Sequence, residues 1–349
     1  MCLLFIDLHT ILSNMIEINV SSKSPAALTS ALKKIKEMSS SGSISKDSAV
    51  HIILEPGMYR ESVRYNLSNP VVIESFPGTK ADECVLKADN CESYNSGINN
   101  RGVFVFGPNA TKVTLKNFTI ENTHVKTIEE GNALADSAEA LVWGNTSGTL
   151  NCSGMVIAGR QNTLYLKGNS SFTECRISGD KDFIYGESEL SYFEDCEIYL
   201  REDTFGEKDA CVVNSQSLAE KPGFVFKNCR FTGDRKNKSS AFVLKTDGKG
   251  SAASTKDWDN LALIDCVLDD WYSPEIVWDD DMNLTIYPRG NAKNGIREYG
   301  TRTADKNGKI VAADTARRSI MSYTLTEDDY FKGYASRFLI LQDTPLAGN

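Results

Sequence analysis

Two stretches of this chain have residue types that invite chemistry: Gly159-Arg-Gln-Asn-Thr-Leu-Tyr165 and Gly179-Asp-Lys-Asp-Phe-Ile-Tyr-Gly186. The first carries a polar pair, Gln161-Asn162. The second carries Asp182, a single acid at the entry to an apolar strand, about twenty residues later. An ionised carboxylate can attack a carbonyl or take a proton, and primary amides can donate hydrogen bonds to a developing negative charge. An asparagine side chain cannot release a proton near neutrality, so the trio lacks an evident acid. Each residue also has a plainer explanation. A lone aspartate where a turn becomes a strand is by default a solvated strand end, and a turn amide by default bonds its own backbone. Asn162 suits that second role well, because asparagine tolerates left-handed backbone.

The elements that must position these residues are built by repetition. Four cysteines share one local frame: FTECRI at 172–177, FEDCEI at 193–198, FKNCRF at 226–231 and LIDCVL at 263–268. LKNFTI at 115–120 and CSGMVI at 152–157 fit the same frame with Phe or Met at the key position. Alternation within each segment predicts strands, and recurrence every twenty or more residues predicts stacked coils of a solenoid. Residues 118, 155, 175, 196, 229 and 266 are then expected to stack on one another in a narrow core, with the longer intervals carrying loops. A β-sandwich would place its strands nearer 8–12 residues apart. The expected architecture is therefore an all-β parallel β-helix. At one end, Ser24-Pro25 followed by apolar Leu28, Leu32 and Ile35 predicts a short capping helix over 25–38, with Ser24 as N-cap and Pro25 at its first position. A second short helix is expected within Ser322–Tyr334, and long loops after residue 230.

Bulk properties narrow the function. A chain of 349 residues, 41% apolar and 24% charged, has ample material for a core. A formal net charge of −9 argues against nucleic acid as partner, since phosphate neutralisation needs clustered Lys and Arg. No apolar run is long enough to span a membrane. Residues 1–14 begin with an apolar run interrupted by Asp7, without a basic start or a small-residue cleavage site; they are expected to be an extension or a misplaced start, and the protein to be cytosolic. Residues 15–349 are expected to form one domain, acting as a monomer. Nine cysteines lack any C-x-x-C pair, and His9, His51 and His124 lie far apart in sequence. Neither a zinc site nor a full disulfide framework is expected, and the thiols are read as small buried hydrophobes.

From Ile16 to about Phe338 the sequence resembles the pectin methylesterases (pectinesterases), carbohydrate esterases with a right-handed parallel β-helix. The segments that carry the resemblance are LEPGMYRESV (54–63), LKNFTIEN (115–122), GRQNTLY and GDKDFIYG, with Trp278 and Glu298-Tyr299 further on. The resemblance implies hydrolysis of methyl esters of galacturonate units in pectin or its oligosaccharides, with neither metal nor organic cofactor. It implies Asp182 as nucleophile and Gln161 as an oxyanion donor. The family's general acid falls on Asn162. Its second glutamine falls, by spacing alone, on Glu139, and its arginine falls on Lys245, by position after the Cys229 rung. Trp258, Trp278 and Phe183 are the implied substrate-contacting residues.

With two of five functional positions kept, three readings stand. Two carboxylates around one pocket would lead one of them to hold a proton, and a protonated Glu139 could then donate to the oxyanion or replace the missing acid. Alternatively, catalysis is lost and the protein binds uronides, with Trp143, Trp258, Trp271, Trp278 and Tyr272 as candidates for a groove. Thirdly, the ester is one with a better leaving group, a thiolate or an acidic alcohol, for which no acid is required.

Overall fold

The computed structural model describes residues 15–125, 128–129, 132–133, 136–202, 209–234, 240–246, 258–279 and 289–348. Residues 1–14 and most of the expected loops after residue 230 lie outside them. The chain winds as a right-handed parallel β-helix whose turns contribute strands to three sheets of 11, 10 and 8 strands. Every pairing between successive turns is parallel; the antiparallel exceptions are Arg302–Ala304 with Ile310–Ala312 and the two-residue pair Ile128–Glu129 with Asn132–Ala133. The inward residues form one continuous apolar core running from Ile18 to Met321.

The repeated hexapeptide is not a single strand. It straddles a corner between the 11-stranded and 10-stranded sheets: Gly168–Thr173 ends, Glu174 turns, and Arg176–Gly179 begins in the next sheet. The corner residue is left-handed each time, at Asn117, Gly154, Glu174, Asp195, Asn228 and Asp265, with φ between 53° and 60°. This reversal delivers the next residue inward, so Phe118, Met155, Cys175, Cys196, Cys229 and Cys266 are all buried. The thiols of Cys196, Cys229 and Cys266 each point to a backbone carbonyl of the preceding turn, those of Phe172, Phe193 and Phe226. Those three phenylalanines form a ladder of their own, with rings stacked 4.7 Å and 4.6 Å apart. All eight cysteines among the described residues are buried and unpaired.

The capping helix spans Ala27–Ser40 and buries Leu28, Leu32 and Ile35, but its start differs from expectation. Its N-cap is Ala26 in left-handed backbone, with no side-chain cap. The carboxylate of Glu61 takes over from the next turn of the coil, accepting from the amides of Leu28 (3.0 Å) and Thr29 (2.9 Å). Ser24 and Pro25 therefore precede the helix. At the far end Ser322–Thr324 is a strand, and the helix runs Glu327–Gly333 behind a Thr326–Asp329 capping box.

Candidate active site

The two chemical motifs occupy neighbouring turns. Gln161 bridges Lys181 in parallel register, the Asn162 amide donates to the Lys181 carbonyl at 3.1 Å, and the Leu164 amide donates to the Phe183 carbonyl at 2.8 Å. Asn162 and Asp182, each next in line, thus stand at the same place on successive turns, about 4.8 Å apart as adjacent strands are. Both are left-handed, at φ 60° and 44°. The Asp182 amide in turn donates to the Cys211 carbonyl on the following turn at 2.8 Å.

Asp182 is only 7% exposed, and its Oδ2 lies 3.8 Å from Lys245 Nζ. Lys245 reaches it from Ser240–Thr246, two turns on, where it is in register with Asn214, which is in register with Tyr185. An ammonium beside a largely buried carboxylate favours the ionised form. The negative charge is felt nearby: burial first, and then Asp182, push the Cys211 thiol well above its ordinary range.

Gln161 is 8% exposed, and its Oε1 is buried with no hydrogen-bond partner among the described residues. Asn162 accepts from the Ser137 hydroxyl at 3.0 Å through Oδ1, which commits its carbonyl end and leaves its NH₂ as the available donor. Two amides and a carboxylate paired with lysine are therefore gathered on two adjacent turns.

Glu139 is placed differently from expectation. Fully buried, it is gripped by Arg101 through Nε (2.8 Å) and Nη2 (2.7 Å) and accepts the Tyr185 hydroxyl. Arg101 also bonds Glu92. Burial opposes the Arg101 charge, but the Glu139 contacts hold it firmly protonated. The Tyr185 phenol is pushed well above its ordinary range, by burial first and then by the Glu139 charge. Asp182 and Glu139 each have their own cation, so the frustration from which proton sharing was argued is absent. Both of its oxygens accept hydrogen bonds from the guanidinium, and one also from the phenol, so Glu139 is held away from the role of oxyanion donor.

Phe183, expected to touch substrate, points into the core and is fully buried. The left-handed Asp182 resets the alternation, so the outward aromatic of this motif is Tyr185, beside Tyr165 with ring centroids 4.9 Å apart. Of the groove candidates, Trp143 and Tyr272 are buried in the core. Trp271 packs on the core half-buried, and Trp258 is half-buried beside Ser217, to which its amide donates. Trp278 is in register with Lys245, but its side chain lies outside what is described. Sequence reasoning missed Arg101, Ser137 and Tyr185. Only Tyr185 had a signal, its place in the second motif.

The pectinesterase family model matches residues 21–308. The chain belongs to the pectinesterase family. Among curated relatives, Probable pectinesterase/pectinesterase inhibitor 23 of Arabidopsis thaliana is 27% identical over 68% of this chain and 40% of its own length. Putative pectinesterase 14 of the same plant is 29% identical over 58% of each. The chain thus spans roughly 40–58% of the length of these pectinesterases. The same fold is seen in pectin methylesterase PemA from Erwinia chrysanthemi, with a TM-score of 0.66, 16% identity, and coverage of 93% of this chain and 96% of that one. A single-residue mutant of a pectin methylesterase, in complex with a hexasaccharide, aligns with a TM-score of 0.62, at 17% identity over 85% of this chain and 89% of that one.

Proposed function

We propose that this pectinesterase-family protein hydrolyses carboxylic esters of uronide units, with Asp182 as nucleophile. The observation that carries the reading is the Asp182–Lys245 pair: a carboxylate 7% exposed, 3.8 Å from an ammonium, one turn from two side-chain amides. In this scheme the Asp182 carboxylate attacks the ester carbonyl carbon, and the carbonyl oxygen gains the negative charge. The NH₂ groups of Gln161 and Asn162 donate to it. Collapse breaks the bond to the alkoxide and leaves an acyl-aspartate, which water then hydrolyses to regenerate Asp182.

Asn162 has no proton to give the alkoxide, so the leaving group takes one from water. That favours slow turnover of methyl esters and faster turnover of esters whose alcohol is more acidic, or of thioesters. The hexasaccharide held by the fold relative supports an oligosaccharide acid as the acyl part.

The test is methanol release from methyl-esterified oligogalacturonides, run beside aryl and thioesters of galacturonate, for the protein and for Asp182→Ala. Release that disappears in Asp182→Ala is the expected outcome. Release unchanged in that variant overturns the assignment of Asp182. No release from any ester, with saturable saccharide binding, would instead establish a catalytically silent binder.

A further inference from the structure

The fold assembles a cluster that the sequence spacing hides. Cys91, His124 and Asp136 come from three separate segments, and all three are buried. One ligand atom from each lies within 4.8 Å of the other two. His124 Nδ1 is 3.0 Å from Asp89 Oδ1, and its Nε2 faces Asp136 Oδ2 at 3.1 Å. That second approach lacks hydrogen-bond geometry, so Nε2 is a buried ring nitrogen without a hydrogen-bond partner, aimed into the cluster.

The arrangement converges three donor atoms on one point, as a cation requires. If Nδ1–H donates to Asp89, Nε2 carries a lone pair, and that lone pair meets a carboxylate oxygen at 3.1 Å in a buried place. The two atoms make no hydrogen bond to one another, and the Cys91 sulfur, hydrogen-bonded to the same carboxylate, completes the triangle. A divalent ion with bonds of about 2.0–2.3 Å needs donor atoms roughly 3.3–3.8 Å apart in a tetrahedral site, which the spacing here allows with small adjustment.

The surroundings are those of a ligand set. Asp136 is oriented by the Ser93 amide (3.1 Å, to Oδ1) and hydroxyl (2.9 Å, to Oδ2). A carboxylate behind the far nitrogen of a metal-bound histidine is the usual supporting partner, and Asp89 occupies that place. The Tyr94 ring stands edge-on to the imidazole, 5.4 Å away.

We propose that Cys91 Sγ, His124 Nε2 and Asp136 Oδ2 form a binding site for a zinc-class divalent metal ion, with one coordination position left open. The mixed sulfur, nitrogen and oxygen donors select zinc or cobalt over magnesium or calcium, which prefer oxygen alone. Binding exchanges the thiol proton for the metal: Cys–SH and M²⁺ give Cys–S–M⁺ and H⁺. The position of the site gives it a structural consequence. Asp136 immediately precedes Ser137, whose hydroxyl holds Asn162, and the Ser137 carbonyl accepts from the Glu92 amide at 3.0 Å. A bound ion therefore pins the segment that supports one of the two side-chain amides.

The test uses the full chain, stripped of metal and titrated with Zn²⁺ and with Co²⁺. One saturable equivalent is expected, with a thiolate-to-cobalt charge-transfer absorption and a rise in Tm on addition of Zn²⁺. Cys91→Ser should lose the absorption, and Asp136→Asn should lose the rise in Tm. Asp89→Asn should weaken Zn²⁺ binding by about 10–100-fold. Should Cys91→Ser fail to fold, Asp89→Asn, at an exposed position, decides the matter. No saturable uptake by the wild-type chain overturns the site, because a doubly protonated His124 bridging two aspartates then explains the cluster. So does uptake of the same affinity in Asp89→Asn and Cys91→Ser, which would place the metal on other thiols.

Discussion

Asn162 and Asp182 are the same residue position on successive turns of the coil, differing in one atom of the side-chain terminus and in their neighbours. Lys245 pairs with Asp182, and Ser137 binds Asn162. Changing Asn162→Asp supplies a titratable acid without altering shape, and aspartate also tolerates left-handed backbone. Methanol release should rise by about 10²–10⁴-fold if proton donation limits turnover; an unchanged rate would show that attack or product release is limiting instead. Lys245→Met removes the cation beside the nucleophile and should lower kcat by about 10²-fold or more, at the scale of losing one fixed charge-stabilising group. Glu139→Gln belongs to stability. It leaves the half-buried Arg101 guanidinium with Glu92 as its one carboxylate partner among the described residues, beside the Tyr185 hydroxyl, so unfolding free energy should fall by about 3 kcal/mol, measurable by denaturant titration. These residues were unequally legible. Asp182 and Gln161 stood inside motifs. Glu139 was located by counting 22 residues back from Gln161, and counting cannot reveal that its partner is Arg101, 38 positions earlier. Phe183 was named from the family resemblance alone, and its ring lies in the core.

At the scale of elements, the hexapeptide repeat was visible as a period before its geometry was. Composition marked where the chain returns to the core, but a left-handed corner leaves only a weak trace: Asn, Asp, Gly or Glu in the position before the buried residue. Glu174 is the outlier in this set. It is exposed, at φ 53°, and a long side chain gains nothing there to offset the steric cost of left-handed backbone. Glu174→Asn should therefore stabilise the protein by about 1 kcal/mol, seen as a higher Tm, whereas Glu174→Val should lower it. If both variants melt alike, the corner does not impose the conformation that the fold assigns it. The helix start teaches the same lesson from the other side. Ser24-Pro25 has the composition of a helix entry, yet Glu61 supplies the cap across the coil, a tertiary contact for which a local pattern carries no signal.

Across the whole molecule, a solenoid needs its ends and its outer apolar stripe covered. Leu28, Leu32 and Ile35 of the capping helix belong to the continuous core at one end. The outward face of the 11-stranded sheet presents Leu190, Tyr192, Val225, Ala262 and Ile264, and the C-terminal tail covers them with Leu325, Ile340, Leu341 and Leu346. Arg337 fastens it, bonding Glu194 at 3.0 Å and Thr173 at 3.2 Å with its guanidinium 5.3 Å from the Tyr192 ring. Lys227 adds a bond to the Tyr334 carbonyl at 3.2 Å. Each turn of a solenoid contacts chiefly its neighbours, so damage to this cover should stay local. Replacing Ile340 and Leu341 by aspartate should loosen the tail, expose the stripe to hydrophobic dyes and promote self-association. Hydrogen exchange should accelerate in Ser188–Glu194, Gly223–Lys227 and Leu261–Ile264 and stay slow in Ala49–Leu54, on the same sheet but far along the coil. Equal acceleration in all four would mean that the coil unfolds as one unit and that the tail holds the entire sheet together.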